Sequence, residues 1–450
     1  MTAKVLPMSR PRVGGFERGD HVELAQRLVA ELQAEGETIH DDGLTWQYND
    51  ARRVFEPLSL ARASQIVQSF AGCRVKSDKK PLRLRAADVG GAIRLAQDSL
   101  CRPEFFANAP RGVAFLDCFL EVTAENIVKH PHSPEHRARF AYGFDYQERA
   151  EPEALLHFLS QVFSPDADAS EKIAVLQEYV GASMLGVATR FQRAITQVGE
   201  GANGKSVLAA IVERAMPIGS VVAIPPQDFA HEYRAAMLAG KLLNLVSELP
   251  EADILDSESF KAVITGDTRT GRHIREAPFT FRPIAGHVYS ANRLPGTTDQ
   301  THGFWRRFIV VGFNRIFVER EQDPKLAQRI VAAELPAIVS WFLAGAQRAL
   351  QQNGYTVLPS SAAALEKWRR SADQVRAFVH DWTQPLPPDA ASADGTNADT
   401  LYQDYRRWAH ANGHKPMASN KFGERMTLLV LKSRHTSTGN VYAVLLRGGG

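Results

Sequence analysis

The sequence predicts an α/β protein of about three domains, organised around a phosphate-binding loop. Three observations carry that expectation. The stretch Gly199-Glu200-Gly201-Ala202-Asn203-Gly204-Lys205-Ser206 matches G-x-x-x-x-G-K-[ST]. It lies between an apolar-rich run, Ala194 to Val198, that can form a strand, and Val207, Leu208, Ile211 and Val212, which recur at helical spacing. The chain of 450 residues is also longer than one core usually organises.

The loop needs these residue types. Glycines let backbone N–H groups curl around an anion, and the following helix N-terminus adds partial positive charge. Gly199, Gly201, Ala202, Asn203, Gly204, Lys205, Ser206 and Val207 are therefore the candidate ATP-binding set. Lys205 can reach the β- and γ-phosphates, and the Ser206 hydroxyl can ligate Mg²⁺. The alternative is a glycine-rich turn before an ordinary helix; the strand and helix flanks weigh against it.

Composition sets bounds. Hydrophobic residues at 44% and charged residues at 23% are ordinary for globular protein. Cys73, Cys101 and Cys118 show neither metal-ligand spacing nor a disulfide framework, which fits a reducing cytoplasm. Met1 to Arg12 has no apolar signal region, and no uninterrupted apolar run reaches membrane-spanning length, so no membrane partner is expected. Net charge is +3, but from Leu401 onward eight Lys and Arg face two acids, leaving the first 400 residues at −3. A basic tail on a slightly acidic body favours a nucleic-acid contact there; the alternative is a solvated charged face.

In chain order, residues 1–150 read as a small α+β module. His21 to Leu32 has helical periodicity, Asp41-Asp42-Gly43 is a turn, and Leu44 to Tyr48 alternates like a strand. His40, Asp41 and Asp42 read as turn chemistry. Val113 to Val122 reads as a strand and Glu153 to Phe163 as a helix. Asp166 and Asp168 form a D-x-D pair, but in a loop before the helix Glu171 to Leu185, where a capped loop is the better reading than a metal site. After the phosphate loop, the buried-type strand Leu242 to Val246 ends in Ser247-Glu248, placing a carboxylate where Mg²⁺ or an attacking water needs one. Glu251 is a weaker candidate. A short helix from Ser257 carries Lys261, followed by Thr265-Gly266-Asp267. Gly271 to Arg275 and Phe279 to Arg282 read as a hairpin with Arg272, His273 and Arg275 on its first arm. The strand His287 to Ala291 ends in Asn292, and Trp305-Arg306-Arg307 precedes the strand Phe308 to Phe313.

The order of these pieces carries a resemblance. Phosphate loop, strand-Ser-Glu, Lys261 with Thr-Gly-Asp, the hairpin with Phe-Thr-Phe-Arg-Pro, Ala-Asn-Arg-Leu-Pro and Trp-Arg-Arg together resemble the superfamily 3 helicases. Within these the likeness is to the phage and plasmid primase-helicase branch, which includes poxvirus-type helicase-primases. Residues 16–58 also resemble the module that precedes the helicase in that branch. The resemblance implies an AAA+-like ATPase core, a homo-hexameric ring, and 3′→5′ translocation on single-stranded DNA. It implies that Lys205 and Ser206 hold the phosphates and Mg²⁺, that Glu248 is the Walker B acid, and that Asn292 is sensor 1. It makes the region from Lys261 to Arg275 the DNA-tracking segment, and Arg306 or Arg307 the finger from a neighbouring subunit. Two departures stand out: one acid at Glu248 where many relatives have two, and no room for a fused primase, so that a separate primase or replication initiator becomes a candidate partner.

Helical signals run from Pro324 to Gln352, with Pro336 inside, which sets the ATPase domain at 151–355 and a last domain at 356–450. Residues 383–398 read as a linker. Helices near Asp373 to Trp382, Asp399 to Ala411 and Ser419 to Leu429, then strands Leu431 to Thr436 and Val441 to Arg447, give a winged-helix order that the family also carries. Lys421 and Arg425 would then face DNA and Arg434 would sit on the wing. The expected function is an ATP-driven replicative helicase acting on forked DNA. A replication initiator that binds ATP without unwinding is the first rival, and a metabolic phosphate-loop kinase the second.

Overall fold

The computed structural model describes residues 15–77, 79–249, 257–274, 278–292, 294–297, 299–387, 395–430, 432–436 and 439–447. Its centre is a sheet built from residues 194–312. A smaller unit precedes it in the chain and another follows it.

The first unit opens with α1 (His21–Glu35), capped by the Asp20 carboxylate, which accepts the Glu23 N–H at 2.9 Å. An antiparallel sheet follows in the order β1 (Thr38–Asp41), β2 (Leu44–Asn49), β3 (Val54–Pro57). Then come α2 (Leu60–Ser69) and α3 (Ala86–Leu100). Leu24, Leu28 and Leu32 of α1 meet Val67 of α2 and Ala92 and Ala96 of α3 in one core. The expected strand Val113 to Val122 is two strands, β4 (Gly112–Ala114) and β5 (Phe119–Val122), with β6 (Ile127–His130) completing an antiparallel sheet. The chain turns at Leu116 and Asp117, where the apolar alternation breaks. This sheet packs towards the centre of the molecule: Val113, Leu120 and Tyr142 share a core with the helices below, and the Tyr142 hydroxyl donates to the Ala215 carbonyl at 2.6 Å. Apolar packing therefore runs straight across residue 150.

The second unit begins with α4 (Glu153–Val162) and α5 (Ala169–Met184). Its strands are β7 (Ala194–Val198), β8 (Val221–Val222), β9 (Leu243–Val246), β12 (Gly286–Ala291) and β13 (Phe308–Gly312). All neighbours are parallel, in the order β13-β7-β12-β9-β8. Such a sheet is covered on both faces, so β9 and β12 read as unbroken buried runs. One face carries α4, α5, α6 (Lys205–Ala215) and α10 (Leu326–Gln351). The other carries α7 (Glu232–Ala236), α8 (Ser257–Thr265), α9 (His302–Trp305) and α11 (Pro359–Ala372). By length and composition α10 is apolar enough to cross a membrane; here it is a core helix packed along α5 and α6. Helix α11 belongs with the sheet, since Ser361 Oγ accepts the Val310 N–H at 2.9 Å and Trp368 Nε1 donates to the Pro295 carbonyl at 2.8 Å.

Between the sheet and α8 side lies a polar layer. Asn244 pairs with both main-chain groups of Ile224 (2.7 and 2.9 Å) and reaches His287 Nδ1 at 3.1 Å. Burial pushes the His287 imidazole down to about 3, so it is held neutral. A two-stranded hairpin, β10 (Arg269–Arg272) and β11 (Pro278–Phe281), projects from this unit. It rests on the first unit: a Cβ at Gly43 would lie 2.5 Å from the Phe279 ring, so the β1–β2 turn can approach only as glycine.

The last unit holds α12 (Gln374–Trp382), β14 (Thr383–Pro385), β15 (Thr396–Asn397), α13 (Ala398–Ala411), α14 (Ser419–Leu429), β16 (Lys432–Thr436), β17 (Gly439–Tyr442) and β18 (Val444–Leu446). Phe378, Tyr405, Trp408, Phe422, Met426 and Tyr442 form its core. The stretch expected as a linker supplies β14, which pairs with β18, and β15, which pairs with β17. Its Thr and Gln residues satisfy an edge pairing that carries no apolar alternation, which hid it from the pattern.

Candidate nucleotide site

The glycine-rich loop leaves the carboxyl end of β7 and enters α6. Open parallel sheets bind ligands outside this edge. Gly204 sits at φ +90°, and a Cβ there would lie 2.8 Å from Val162 Cγ2, so the last loop residue is glycine for both reasons. Asn203 is buried and locks the loop: its Nδ2 donates to the Glu200 carbonyl and, at 3.4 Å, to the Phe313 carbonyl. The segment after β13 wraps the same loop, with Phe313 N–H donating to Val198 (2.7 Å) and Phe317 N–H donating to Ala202 (2.8 Å).

Lys205 Nζ donates to the Gly199 carbonyl, inside its own loop. Burial pushes its pKa down, and among the described residues no carboxylate pairs with it. A desolvated ammonium held only by a neutral carbonyl is suited to an incoming phosphate. Ser206 is exposed in the first turn of α6, Val207 is half-buried behind it, and Gly201 and Ala202 are exposed at the loop's crown. Glu248 lies two residues beyond β9 and Asn292 one residue beyond β12, both exposed. The register brings them to the same edge: Ala291 pairs with Val198, and Tyr289 with Val246. With strands about 4.8 Å apart, Asn292 stands one strand and Glu248 two strands from the loop. Among the described residues no group of three or more His, Cys, Asp or Glu could hold a metal, so Mg²⁺ would need phosphate oxygens beside Ser206 and Glu248. Glu251 lies outside the described residues.

Arg306 and Arg307 sit at the opposite edge, just before β13 begins beside Ala194. A five-residue strand separates them from the loop by roughly 15 Å. Arg306 is exposed and donates to Gln192 Oε1 at 2.7 Å. Arg307 is buried, donates to the Gly303 carbonyl, and has its pKa lowered by burial and by Arg306.

The expected DNA contacts fare differently. Lys261 is tied to Asp299 at 2.8 Å. Burial raises the Asp299 carboxyl, but hydrogen bonds from Lys261, Thr301 and Ser257 outweigh it and hold the group at about 2. Arg272 faces Glu232 at 3.7 Å, and His273 stacks on Phe279 with centroids 4.9 Å apart. Arg275 lies outside the described residues, as does the Arg434 side chain. Lys421 is exposed on α14, paired with Glu424 at 2.9 Å. Arg425 is engaged within the fold: its guanidinium donates twice to buried Asp373 (2.8 and 2.5 Å), the residue that also caps α12, so it joins two helices. Asp166 and Asp168 do more than cap a loop. Buried Lys172 reaches Asp166 at 2.9 Å and the Gly312 carbonyl at 2.8 Å, while Asp168 accepts the Ser360 N–H at 2.8 Å. This network braces the segment that wraps the glycine-rich loop. The only sequence signal for it was a lysine on the wholly buried side of a helix.

Comparison with known proteins agrees at two separate segments. Residues 197–307 match a family of unknown function, DUF5906, and residues 370–448 match the family of poxvirus D5 protein-like domains. A putative helicase, L207/L206 of Acanthamoeba polyphaga mimivirus, is 21% identical over 280 residues. The alignment covers 54% of this chain, and the chain spans 29% of that protein's length. Among solved structures, the C-terminal region of NrS-1 in its A form aligns over 95% of this chain and 99% of its own, at 12% identity and a TM-score of 0.48. A second apo structure of that region aligns over 96% and 100%, at 13% identity and a TM-score of 0.46. Over part of its length the chain is thus similar to a putative viral helicase. More particularly, its last unit is similar to the poxvirus D5 type.

Proposed function

We propose that the chain is an ATP-driven DNA helicase of the superfamily 3, AAA+-like kind, working as a homo-hexamer. The observation that carries the reading is the split between sheet edges. Loop, Glu248 and Asn292 share the carboxyl edge, whereas Arg306 stands at the other edge with its guanidinium exposed. A finger so placed serves a nucleotide held by another copy of the chain. Its exposure favours Arg306 as that finger over Arg307, which its own subunit buries.

In this reading Lys205 exchanges the Gly199 carbonyl for the β- and γ-phosphates, and loop N–H groups hold the anion. Ser206 and Glu248 would hold a Mg²⁺ ion arriving with the nucleotide, which would supply neutralising charge at the phosphates, and Asn292 would orient the attacking water. The hairpin and α14 would contact single-stranded and forked DNA, and translocation would run 3′→5′. A separate primase or initiator remains the proposed partner, and the bacterial cytoplasm the proposed setting.

Lys205→Ala should lower ATP turnover at least a hundredfold, with the melting temperature unchanged within a few degrees. Retained turnover would remove the site. A forked duplex left intact by wild-type protein that still binds duplex DNA would favour the initiator reading.

A further inference from the structure

The edge of the sheet away from the phosphate loop opens into a cleft of about 610 Å³, between the first unit and the start of β7, β9 and β12. That volume lies within the usual range for small-ligand sites. Five guanidinium groups, those of Arg111, Arg137, Arg139, Arg190 and Arg282, line it against the carboxyls of Asp41, Asp42 and Glu104. The acids offset part of that charge, Asp41 and Asp42 acting on Arg139 in particular. Asp41 already accepts the N–H groups of Asp42 and Phe106. Burial lifts the Asp42 carboxyl to about 6, with Asp41 beside it adding to the shift and the Arg139 charge opposing it. Glu104 meets only Arg282, at 3.8 Å across the mouth, in an exposed pair that solvent screens.

Arg139 stands deepest. Its guanidinium lies 4.8 Å from the Phe106 ring centroid, and its Nη1 is shielded from solvent without a hydrogen-bond partner. An arginine does not shed its proton; Asp42 and Asp41 favour its charge from nearby, but neither hydrogen-bonds to Nη1, which leaves a donor open to a further anion. Arg137 is anchored on the Phe105 carbonyl at 2.8 Å, while Arg111, Arg190 and Arg282 are exposed around the rim. Thr268 and Thr280, at the base of the β10–β11 hairpin, add hydroxyls to the wall.

We infer that this cleft is a second anion site, taking the phosphates of a nucleotide ligand, either a single-stranded polynucleotide or a free nucleotide. It does not rest on the phosphate-loop reading, because the two lie at opposite ends of the strands. Guanidinium forks suit phosphate oxygens, and hydroxyls complete their hydrogen bonding. The pair Glu104–Arg282 bridges the mouth and would part to admit the strand.

The test uses the full chain and two probes: a fluorescein-labelled twelve-residue oligothymidylate and a fluorescent ATP analogue. The double variant Arg190→Glu/Arg282→Glu changes only exposed groups, and Arg83→Glu/Arg94→Glu, on the first unit outside the cleft, controls for net charge. Arg139→Gln probes the interior, and the rim variant keeps the test decisive should Arg139→Gln not fold. If a strand is the occupant, the rim variant binds the oligonucleotide at least tenfold more weakly, and the slope of log affinity against log salt falls by about 1.4. ATP hydrolysis without DNA stays unchanged. If a free nucleotide is the occupant, oligonucleotide binding is unaltered and the analogue drops from two equivalents per chain to one. Unaltered values for both probes, or an equal loss in the Arg83/Arg94 control, would overturn the inference.

Discussion

Lys205 and Arg425 are both shielded cations that the sequence offered as phosphate contacts, one in the sheet unit and one in the last unit. Their partners set them apart. Lys205 answers to a neutral main-chain carbonyl. Arg425 answers to Asp373, a buried carboxylate that also accepts the Val375 and Arg376 N–H groups of α12. A carbonyl can exchange its lysine for water or a phosphate competitor at modest cost. A buried carboxylate stripped of its arginine is left charged in a poor solvent, at about 3–5 kcal/mol. A basic residue at the right place in a motif is therefore a contact only if its partner in the fold can release it. By the same criterion Lys261, on Asp299, is held in the chain, while Arg306, on the neutral Gln192 side-chain oxygen, can be released.

Acid should separate the two units most strongly. His287 titrates near 6.5 when unfolded and about 3 when folded, so the unfolded chain binds the extra proton between those values. Its contribution is complete above pH 6.5 and is lost as pH falls towards 3, on the order of 4–5 kcal/mol in total. Among the described residues the last unit contains no buried histidine. Acid titration followed by Trp and Tyr fluorescence should therefore show the sheet unit failing first, and His287→Gln should flatten that early loss. Simultaneous loss of both units, unaltered by the substitution, would remove His287 as the cause.

Next in size is Arg425→Leu, which should destabilise the last unit by about 3–5 kcal/mol, measured by urea unfolding. Asp373→Asn in the same chain should recover part of this, because the amide needs no counter-charge while it still caps α12. If Arg425→Leu instead weakens DNA binding with no change in stability, the ion pair is dispensable and the residue returns to the DNA surface.

Legibility follows the same physical line. The glycine-rich loop between strand and helix could be read because its pattern is local: glycines, lysine and serine fall within eight residues and the flanks carry helix and strand periods. The common edge shared by Glu248 and Asn292 was legible too, since each ends an apolar run. What escaped was non-local. Nothing within ten residues of Lys172 announces that the Gly312 carbonyl will bury it, and Arg425 meets Asp373 only after 52 residues of chain. The break between β17 and β18 at Ala443 escaped because Val441 to Leu446 is apolar throughout and an edge pairing with β14 decides where it turns. The arginine cleft has no sequence signature, because its five arginines come from four segments far apart in the chain, at Arg111, Arg137 and Arg139, Arg190, and Arg282.

The finest division lies within α14 itself, where Lys421 stands one turn from Arg425 but faces solvent. Its pair with Glu424 is exposed on both sides, so it contributes at most about 1 kcal/mol to stability. Lys421→Ala should therefore leave urea unfolding within about 0.5 kcal/mol of wild type. If α14 lies along a duplex, the same change reduces the salt slope of DNA binding by about 0.9, equivalent to one phosphate. Glu424→Ala removes the competitor for the same ammonium, so binding should strengthen several-fold while stability again hardly moves. The opposite signs matter more than their sizes: a structural role would move both variants in one direction on unfolding, and an idle surface lysine would move neither on DNA. Equal affinities for wild type, Lys421→Ala and Glu424→Ala across the salt series would take α14 off the DNA and leave the last unit a protein-binding module.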